Sequence, residues 1–113
     1  MLPKENQLKK TRDFDRVFNK GKGFKKKLLV LKKLRNDSGF SRFGFIVNKK
    51  VSKKAVIRNK IKRRMRETAR NFFPKIEKGW DIILIAVPGI EKEEFMDLKK
   101  NIEEIFKNAE ILK

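Results

Sequence analysis

Cysteine and histidine are both absent from the 113 residues of this chain. Without cysteine there are no disulfides, zinc–thiolate sites or thiol nucleophiles. Without histidine the chain lacks the usual general base near neutral pH and the commonest transition-metal ligand. The sequence also has no GxxxxGK motif followed by Ser or Thr, the pattern of a phosphate-binding loop. An enzyme that performs hydrolysis with its own side chains is therefore hard to build from this sequence.

Long apolar runs are also missing. The longest extends from Ile82 to Val87, far short of the roughly 20 residues that span a bilayer. Residues 1–10 are mostly polar or basic, unlike the apolar core of a signal peptide. We therefore expect a soluble, cytoplasmic protein with no membrane partner, folded as one domain over residues 1–113.

Positive charge, in contrast, is abundant. Lys and Arg number 32 against 14 Asp and Glu, which gives a formal net charge of +18. In residues 49–66, ten of the 18 side chains are basic and none is acidic. Such an excess repels itself unless a counter-charge is present, so it indicates a polyanionic partner. The one dense acidic cluster, in residues 91–97, is interpreted as the solvated face and first turn of a helix.

The spacing of apolar residues predicts six elements in the order helix, strand, strand, helix, strand, helix. Thr11 is the expected N-cap of the first helix, and Gly21 its left-handed C-cap. The first two strands are expected to form a hairpin, and the nearly continuous third strand to be central and buried. The predicted ranges are 11–21, 24–34, 42–48, 55–73, 80–87 and 91–112.

The predicted helix over 55–73 separates an apolar side from a basic one. Its apolar residues recur at helical spacing and form one arc. That arc consists of Ile57, Ile61, Met65, Thr68 and Phe72. The arginines lie beside or opposite it, and their planar donor groups suit phosphate. Asn59 stands among them and can hydrogen-bond a base edge or a ribose, so the helix is predicted to bind nucleic acid.

Phe14 and Phe18 allow two interpretations. On the first helix, next to a basic N-terminus, exposed rings would stack on the bases of an unpaired strand. The same spacing suits two core residues, and composition alone favours the core.

Several segments resemble the bacterial ribonuclease P protein family. The most specific is RNKIKRRMRE at 58–67, which resembles the arginine-rich signature of that family. FIVNKKVSKKA at 45–55 leads into it in the same way, and LKK with DFDRVF in residues 8–21 also fits. WDIILI at 80–85 and the closing amphipathic helix extend the resemblance over essentially the whole chain.

The resemblance implies a fold and a function. The fold would be an α/β (α+β) two-layer sandwich: a small mixed sheet packed with helices in the order α-β-β-(β)-α-β-α. Its strand-helix-strand crossover around the basic helix would be left-handed, against the usual rule. Members bind a large catalytic RNA, and the complex removes the 5′ leader from precursor tRNA. The RNA holds Mg²⁺ and performs the hydrolysis, so we expect no catalytic residue, no metal or other cofactor bound by the protein alone and no small-molecule substrate.

Site residues also follow from the resemblance. Those that match the leader cleft are Phe14, Phe18, Val30, Lys32, Lys62 and Arg66. Lys32 stands where some relatives have an aromatic residue, which suggests a phosphate contact instead of stacking. Arg58, Asn59, Lys60 and Arg63 match the positions closest to the catalytic RNA. The other residues predicted to bind that RNA are Arg64, Arg70, Lys49, Lys50, Lys53 and Lys54.

Two other functions are compatible with parts of this pattern. A ribosomal-type or general RNA-binding protein with no enzymatic partner would have the same charge and the same sandwich. A DNA-binding repressor with the basic helix in a major groove fits less well, because strands and not a helix precede that helix.

The charge leads to a prediction about salt. Each phosphate neutralised contributes about 0.7–0.9 to the slope of log affinity against log salt concentration. Because the segment 49–66 offers several cations, RNA binding measured by titration at increasing salt should give a slope of about −4 or steeper. A nearly flat salt dependence would mean that the charge serves solubility alone.

Overall fold

The apolar run around Ile83 becomes an inner strand of a four-stranded sheet. The computed structural model describes residues 3–113. The helices and strands, in chain order, are α1 (Thr11–Lys20), β1 (Lys22–Lys26), β2 (Leu29–Arg35), β3 (Arg42–Ile46), α2 (Ala55–Phe72), β4 (Trp80–Ala86) and α3 (Phe95–Asn108). Short 3₁₀ turns precede α1 and α3 and follow α2. The α+β class and the mixed sheet are thereby confirmed.

The strand order is β1-β2-β4-β3, with β3 parallel to β4 and the other pairs antiparallel. The predicted hairpin between segments 24–34 and 42–48 is therefore wrong. β4 is apolar on both sides and takes the place between β2 and β3, so each of these strands pairs with β4 instead of with the other. α2 makes the parallel connection from β3 to β4. The left-handed sense implied for this crossover stays a prediction.

Four details differ from the sequence prediction. The segment 24–34 contains two strands, because the chain reverses at Lys27 with a positive φ of 54°. Gly21 is extended, with φ −76°, because the chain continues directly from α1 into β1. Lys10, not Thr11, is the N-cap of α1. The last helix begins at Phe95, after the left-handed Gly89 and a 3₁₀ turn.

Helices cover both faces of the sheet. Side chains of β4 alternate: Ile82 and Leu84 pack with α2 and α3 in the main core, whereas Ile83 packs with Val17 of α1 on the other face. α1 therefore adds a third layer, made of one helix, to the two-layer sandwich. The arc predicted for α2 is buried at Ile61, Met65 and Thr68 and half-buried at its two ends.

A fully buried carboxylate connects α1 to the sheet. Asp81 accepts hydrogen bonds from Arg42 Nε at 2.8 Å and Nη2 at 2.7 Å, from Asn36 at 2.8 Å and from Arg16 of α1. Arg42 also forms an ion pair with Asp13 of α1 at 3.5 Å. The hydrogen bonds to Asp81 raise the pKa of Arg42 above its usual value. Two residues of α1 are thus held against two strands by one charge network.

Removing the charge of Asp81 should destabilise the fold. We expect Asp81→Asn to lower the free energy of unfolding by about 3 kcal/mol, the low end for a broken buried ion pair, because both arginines are part exposed and can bind water. Urea denaturation is the measurement. As a control, Glu103→Gln breaks the exposed pair with Lys107 and should cost about 0.5 kcal/mol or less. Equal effects of the two changes would contradict the role assigned to Asp81.

Candidate nucleic-acid interface

α1 crosses the sheet over one row of aligned residues. That row is Lys32, Ile83 and Gly44, neighbours in the register of β2, β4 and β3. Around the helix, the charged pair that joins the Asp81 network lies on one flank, Val17 lies in the middle, and Phe14 and Phe18 lie on the other flank. α1 thus directs Asp13 and Arg16 to one side and its aromatic rings to the other.

Gly44 lets the Phe14 ring approach the sheet. A Cβ added at Gly44 would lie 2.5 Å from two ring carbons of Phe14, closer than such atoms come. Any larger residue at this position would displace the ring. In the sequence Gly44 is only a small residue between Phe43 and Phe45, which does not predict the contact.

The next row on the same face remains partly open. Val30, Ile85 and Ile46 are aligned across β2, β4 and β3, and all three are half-buried. Lys25 of the edge strand β1 continues the row. With strands about 4.8 Å apart, the row spans about 14 Å. This row forms the floor of a groove along the flank of α1 that carries Phe14 and Phe18. We call this groove the α1 groove. Sequence reasoning identified Val30 and missed the other three.

A cavity of about 240 Å³ lies at the β3 edge of the sheet, between α1 and α2. Phe14, Lys62 and Arg66 all line it, together with Gly44 and Phe45. Three of the six residues predicted for the leader, from two distant parts of the chain, therefore meet around one cavity. Lys62 and Arg66 reach it because they lie one turn apart on the same flank of α2.

The other three predicted leader residues, Phe18, Val30 and Lys32, lie on the same face of the sheet but toward β2 and away from the β3 edge. Lys32 Nζ donates a hydrogen bond to the Phe18 carbonyl at 2.9 Å and stands 5.3 Å from the centre of the Phe18 ring. Its ammonium thus stabilises the last turn of α1, whose free carbonyls favour a cation. Val30 belongs to the floor row. Both aromatic rings are half-buried.

The solvent side of α2 forms a second surface. Asn59, Lys60 and Arg63 line a shallow depression together with Arg66 and Val56, whose side chain is 80% exposed. The other predicted cations surround it less closely. Lys49, Lys50, Lys53 and Lys54 are exposed in the segment before α2, and Arg70 is exposed near its end.

Two of the predicted RNA-binding arginines make internal contacts. Arg58 Nη1 donates to the carbonyls of Ser52 and Lys53, both at 2.9 Å, and so holds the segment that precedes α2. The Arg64 guanidinium stands 5.2 Å from the centre of the Phe95 ring of α3, a cation–π contact. Their assignment to RNA stays a prediction, and the spacing of charges along α2 gave no sign of these contacts.

Among residues 3–113, no three acidic side chains come together in a way that could hold a metal ion. None of the helices in this part of the chain is both long and apolar enough to cross a membrane.

The contacts of Arg58 predict a difference between two arginines. Arg58→Ala should speed amide hydrogen exchange in residues 49–55, because the carbonyls of Ser52 and Lys53 lose their donor. Arg63→Ala, on the solvent side, should leave that exchange unchanged. Both proteins would be compared by exchange mass spectrometry, and equal protection in both would show that Arg58 does not hold this segment.

Comparison with known proteins identifies the family. The family model for Ribonuclease P matches residues 2–110. The ribonuclease P protein component of Clostridioides difficile is 41% identical over 105 residues, which cover 92% of this chain and 91% of the relative. That of Picosynechococcus sp. is 34% identical over 110 residues and covers 97% and 95%.

Solved structures agree. The Staphylococcus aureus RNase P protein matches with a TM-score of 0.89 at 30% identity, over 96% of this chain and 98% of that chain. The Thermotoga maritima RNase P protein matches with a TM-score of 0.81 at 30% identity, over 90% and 96%. The chain therefore belongs to the ribonuclease P protein component family, the protein subunits of a tRNA-processing endoribonuclease.

Proposed function

We propose that the chain binds the single-stranded 5′ leader of precursor tRNA in the α1 groove and the catalytic RNA on the solvent side of α2. The observation that carries the first part is the convergence of Phe14, Lys62 and Arg66 on one cavity at the end of an apolar floor. Aromatic, apolar and cationic groups together are what an unpaired strand needs: faces for its bases and charges for its phosphates.

The groove favours unpaired nucleotides for a steric reason. A duplex hides its base faces in its own stack, whereas an unpaired strand can present them to aromatic rings. Phe14 and Phe18 lie on one wall, and the floor row of Val30, Ile85 and Ile46 offers an apolar surface to a base. Lys62 and Arg66 would neutralise phosphates at one end, and Lys32 at the other.

The solvent side of α2 suits a folded RNA. Arg63 presents a planar group with several donors for phosphate oxygens, and Asn59 can both donate to and accept from a base or ribose. The exposed lysines of residues 49–54 extend the positive surface beyond the helix. Together they would replace counterions around the RNA and help it fold at lower Mg²⁺.

The hydrolytic chemistry is assigned to the RNA. Mg²⁺ held by the RNA would supply the activated water and stabilise the leaving oxygen. The protein's own inventory, without histidine or cysteine, suits a binding role. Its groove residues would hold the leader, so that the scissile phosphate is positioned on the RNA. The protein would thus increase the reaction rate by orienting the substrate.

Precursor and mature tRNA provide the test of this function. In the reconstituted holoenzyme, Phe14→Ala and Phe18→Ala should weaken precursor tRNA binding by about 1–3 kcal/mol each, the contribution of a stacked base. Mature tRNA, which has no leader, should bind as before. Affinities would be measured with both RNAs after circular dichroism has shown that the variants are folded.

Two outcomes would contradict the proposal. Equal weakening of precursor and mature tRNA binding would assign Phe14 to the core and not to the leader. We expect no cleavage of precursor tRNA by the purified protein without an RNA subunit. Such cleavage would overturn the assignment of the hydrolysis to the RNA.

A further inference from the structure

The turn between β2 and β3 exposes an aromatic ring far from the α1 groove. Phe40 is 51% exposed, and within residues 3–113 only Val56 and Met96 among the large apolar side chains are also exposed. Residues 36–41 lie at the end of the sheet where β4 begins, because Arg35 is paired with Trp80. The groove floor lies toward the other end of β4. Phe40 is therefore outside the leader site.

Hydrogen bonds fix the backbone that presents this ring. The Asn36 side-chain amide donates to the Phe40 carbonyl at 3.1 Å and to Asp81 at 2.8 Å, and its oxygen accepts the Ser38 N–H at 2.9 Å. The Phe40 N–H donates to Ser38 Oγ at 3.0 Å. The turn is thus attached to the buried carboxylate that also holds α1. A fixed backbone has little conformational freedom left to lose when a ligand binds.

Phe40 borders a largely apolar depression of about 290 Å³. Its apolar lining comes from Phe40 itself and from Phe73, Pro74 and Ile76, which follow the end of α2. Lys78 and Lys113 also line it, together with Glu77. A flat apolar surface beside cations suits a nucleobase better than it suits a purely apolar partner.

A second depression, of about 520 Å³, lies on the other side of the same turn and is rich in arginine. Its basic residues are Arg12, Arg16, Arg35 and Arg42. Arg16 and Arg42 are engaged by Asp81. Arg12 and Arg35 are exposed, and the Arg35 guanidinium also stands 4.2 Å from the centre of the Trp80 ring and donates to the Lys78 carbonyl at 3.4 Å. Across the two depressions, six basic residues stand against three acidic lining residues and the buried Asp81, which leaves an excess of two positive charges. The excess favours an anionic occupant.

We propose that residues 36–41 form a second RNA-binding site, which takes one unpaired nucleotide. Its base lies on Phe40 over the apolar depression, and its phosphate lies near Arg12 and Arg35. The inference rests on the proposed function, because it requires that the partner is RNA. The nucleotide belongs either to the catalytic RNA or to precursor tRNA, which share this chemistry and are separated by two arms of the experiment.

Binding measurements on four variants test the site. One arm measures the affinity of the full-length protein for a bacterial ribonuclease P RNA, and the other the affinity of the reconstituted holoenzyme for precursor tRNA. Phe40→Ala should lower one of these affinities at least about 5-fold, and Phe40→Trp should keep it, since both rings stack. Arg12→Gln should reduce the salt slope in the same arm by about 0.7–0.9. Met96→Ala, which removes an exposed apolar side chain on α3, should change nothing.

A single introduced cysteine can locate the contact. The chain has no cysteine, and a Cβ added at Gly39 meets nothing within 4 Å, so Gly39→Cys leaves the turn intact. A hydroxyl-radical-generating reagent attached there should cut the bound RNA within one unpaired segment. When Phe40→Ala is added, the cuts should no longer be confined to that segment.

The results separate failure of this site from failure of the proposed function. If folded Phe40→Ala keeps both affinities while Arg63→Ala lowers the affinity for the catalytic RNA, the second site is wrong and the RNA-binding function stands. If neither change weakens the binding of either RNA, both the second site and the proposed function are wrong. Loss of affinity in Phe40→Ala that Phe40→Trp does not restore would also overturn the stacking contact.

Discussion

The buried carboxylate of Asp81 sets where α1 lies, and the position of α1 decides which part of the sheet stays open. Three rows follow one another on this face: Asp81 with its partners, the row of Ile83 beneath the helix, and the half-buried row of Ile85. Arg16 and Asp13 hold α1 toward the first row, so its aromatic flank faces the third. A helix held by apolar contacts alone could slide across the sheet, because such contacts are not directional.

Charge compensation divides the molecule into two parts. Ion pairs lie where α1 meets the sheet, between β1 and α3, and along α3. Within residues 3–113, no side chain of α2 takes part in an ion pair, although this helix and the segment before it carry the densest positive charge. The four acidic residues that form these ion pairs, Asp13, Asp81, Glu103 and Glu104, all lie outside α2. A bound polyanion would relieve the repulsion that remains on α2.

Local patterns predicted the helices well, because apolar spacing follows directly from the helical period. Pairing of strands depends on contacts distant in sequence, so the prediction joined the two strands adjacent in the chain and missed that β4 separates them. The same limit applies to the site. The charge run identified the solvent side of α2, but the inward role of Arg58 depends on a loop, and the fit of Phe14 depends on Gly44. Asp81, inside an apolar run, gave no sign of its partners.

The two interpretations of Phe14 and Phe18, core or stacking surface, are not exclusive. Phe14 packs against the Gly44 backbone, and Phe18 lies beneath the Lys32 ammonium; each ring is half-buried. A fully exposed ring would sample several rotamers and lose that freedom on binding a base, whereas a fully buried ring could not touch one. Partial burial fixes the orientation of the ring during folding, while one part of its surface stays open. The rings are thus ordered when α1 folds, so the proposed binding of the leader would not have to supply the free energy of ordering them.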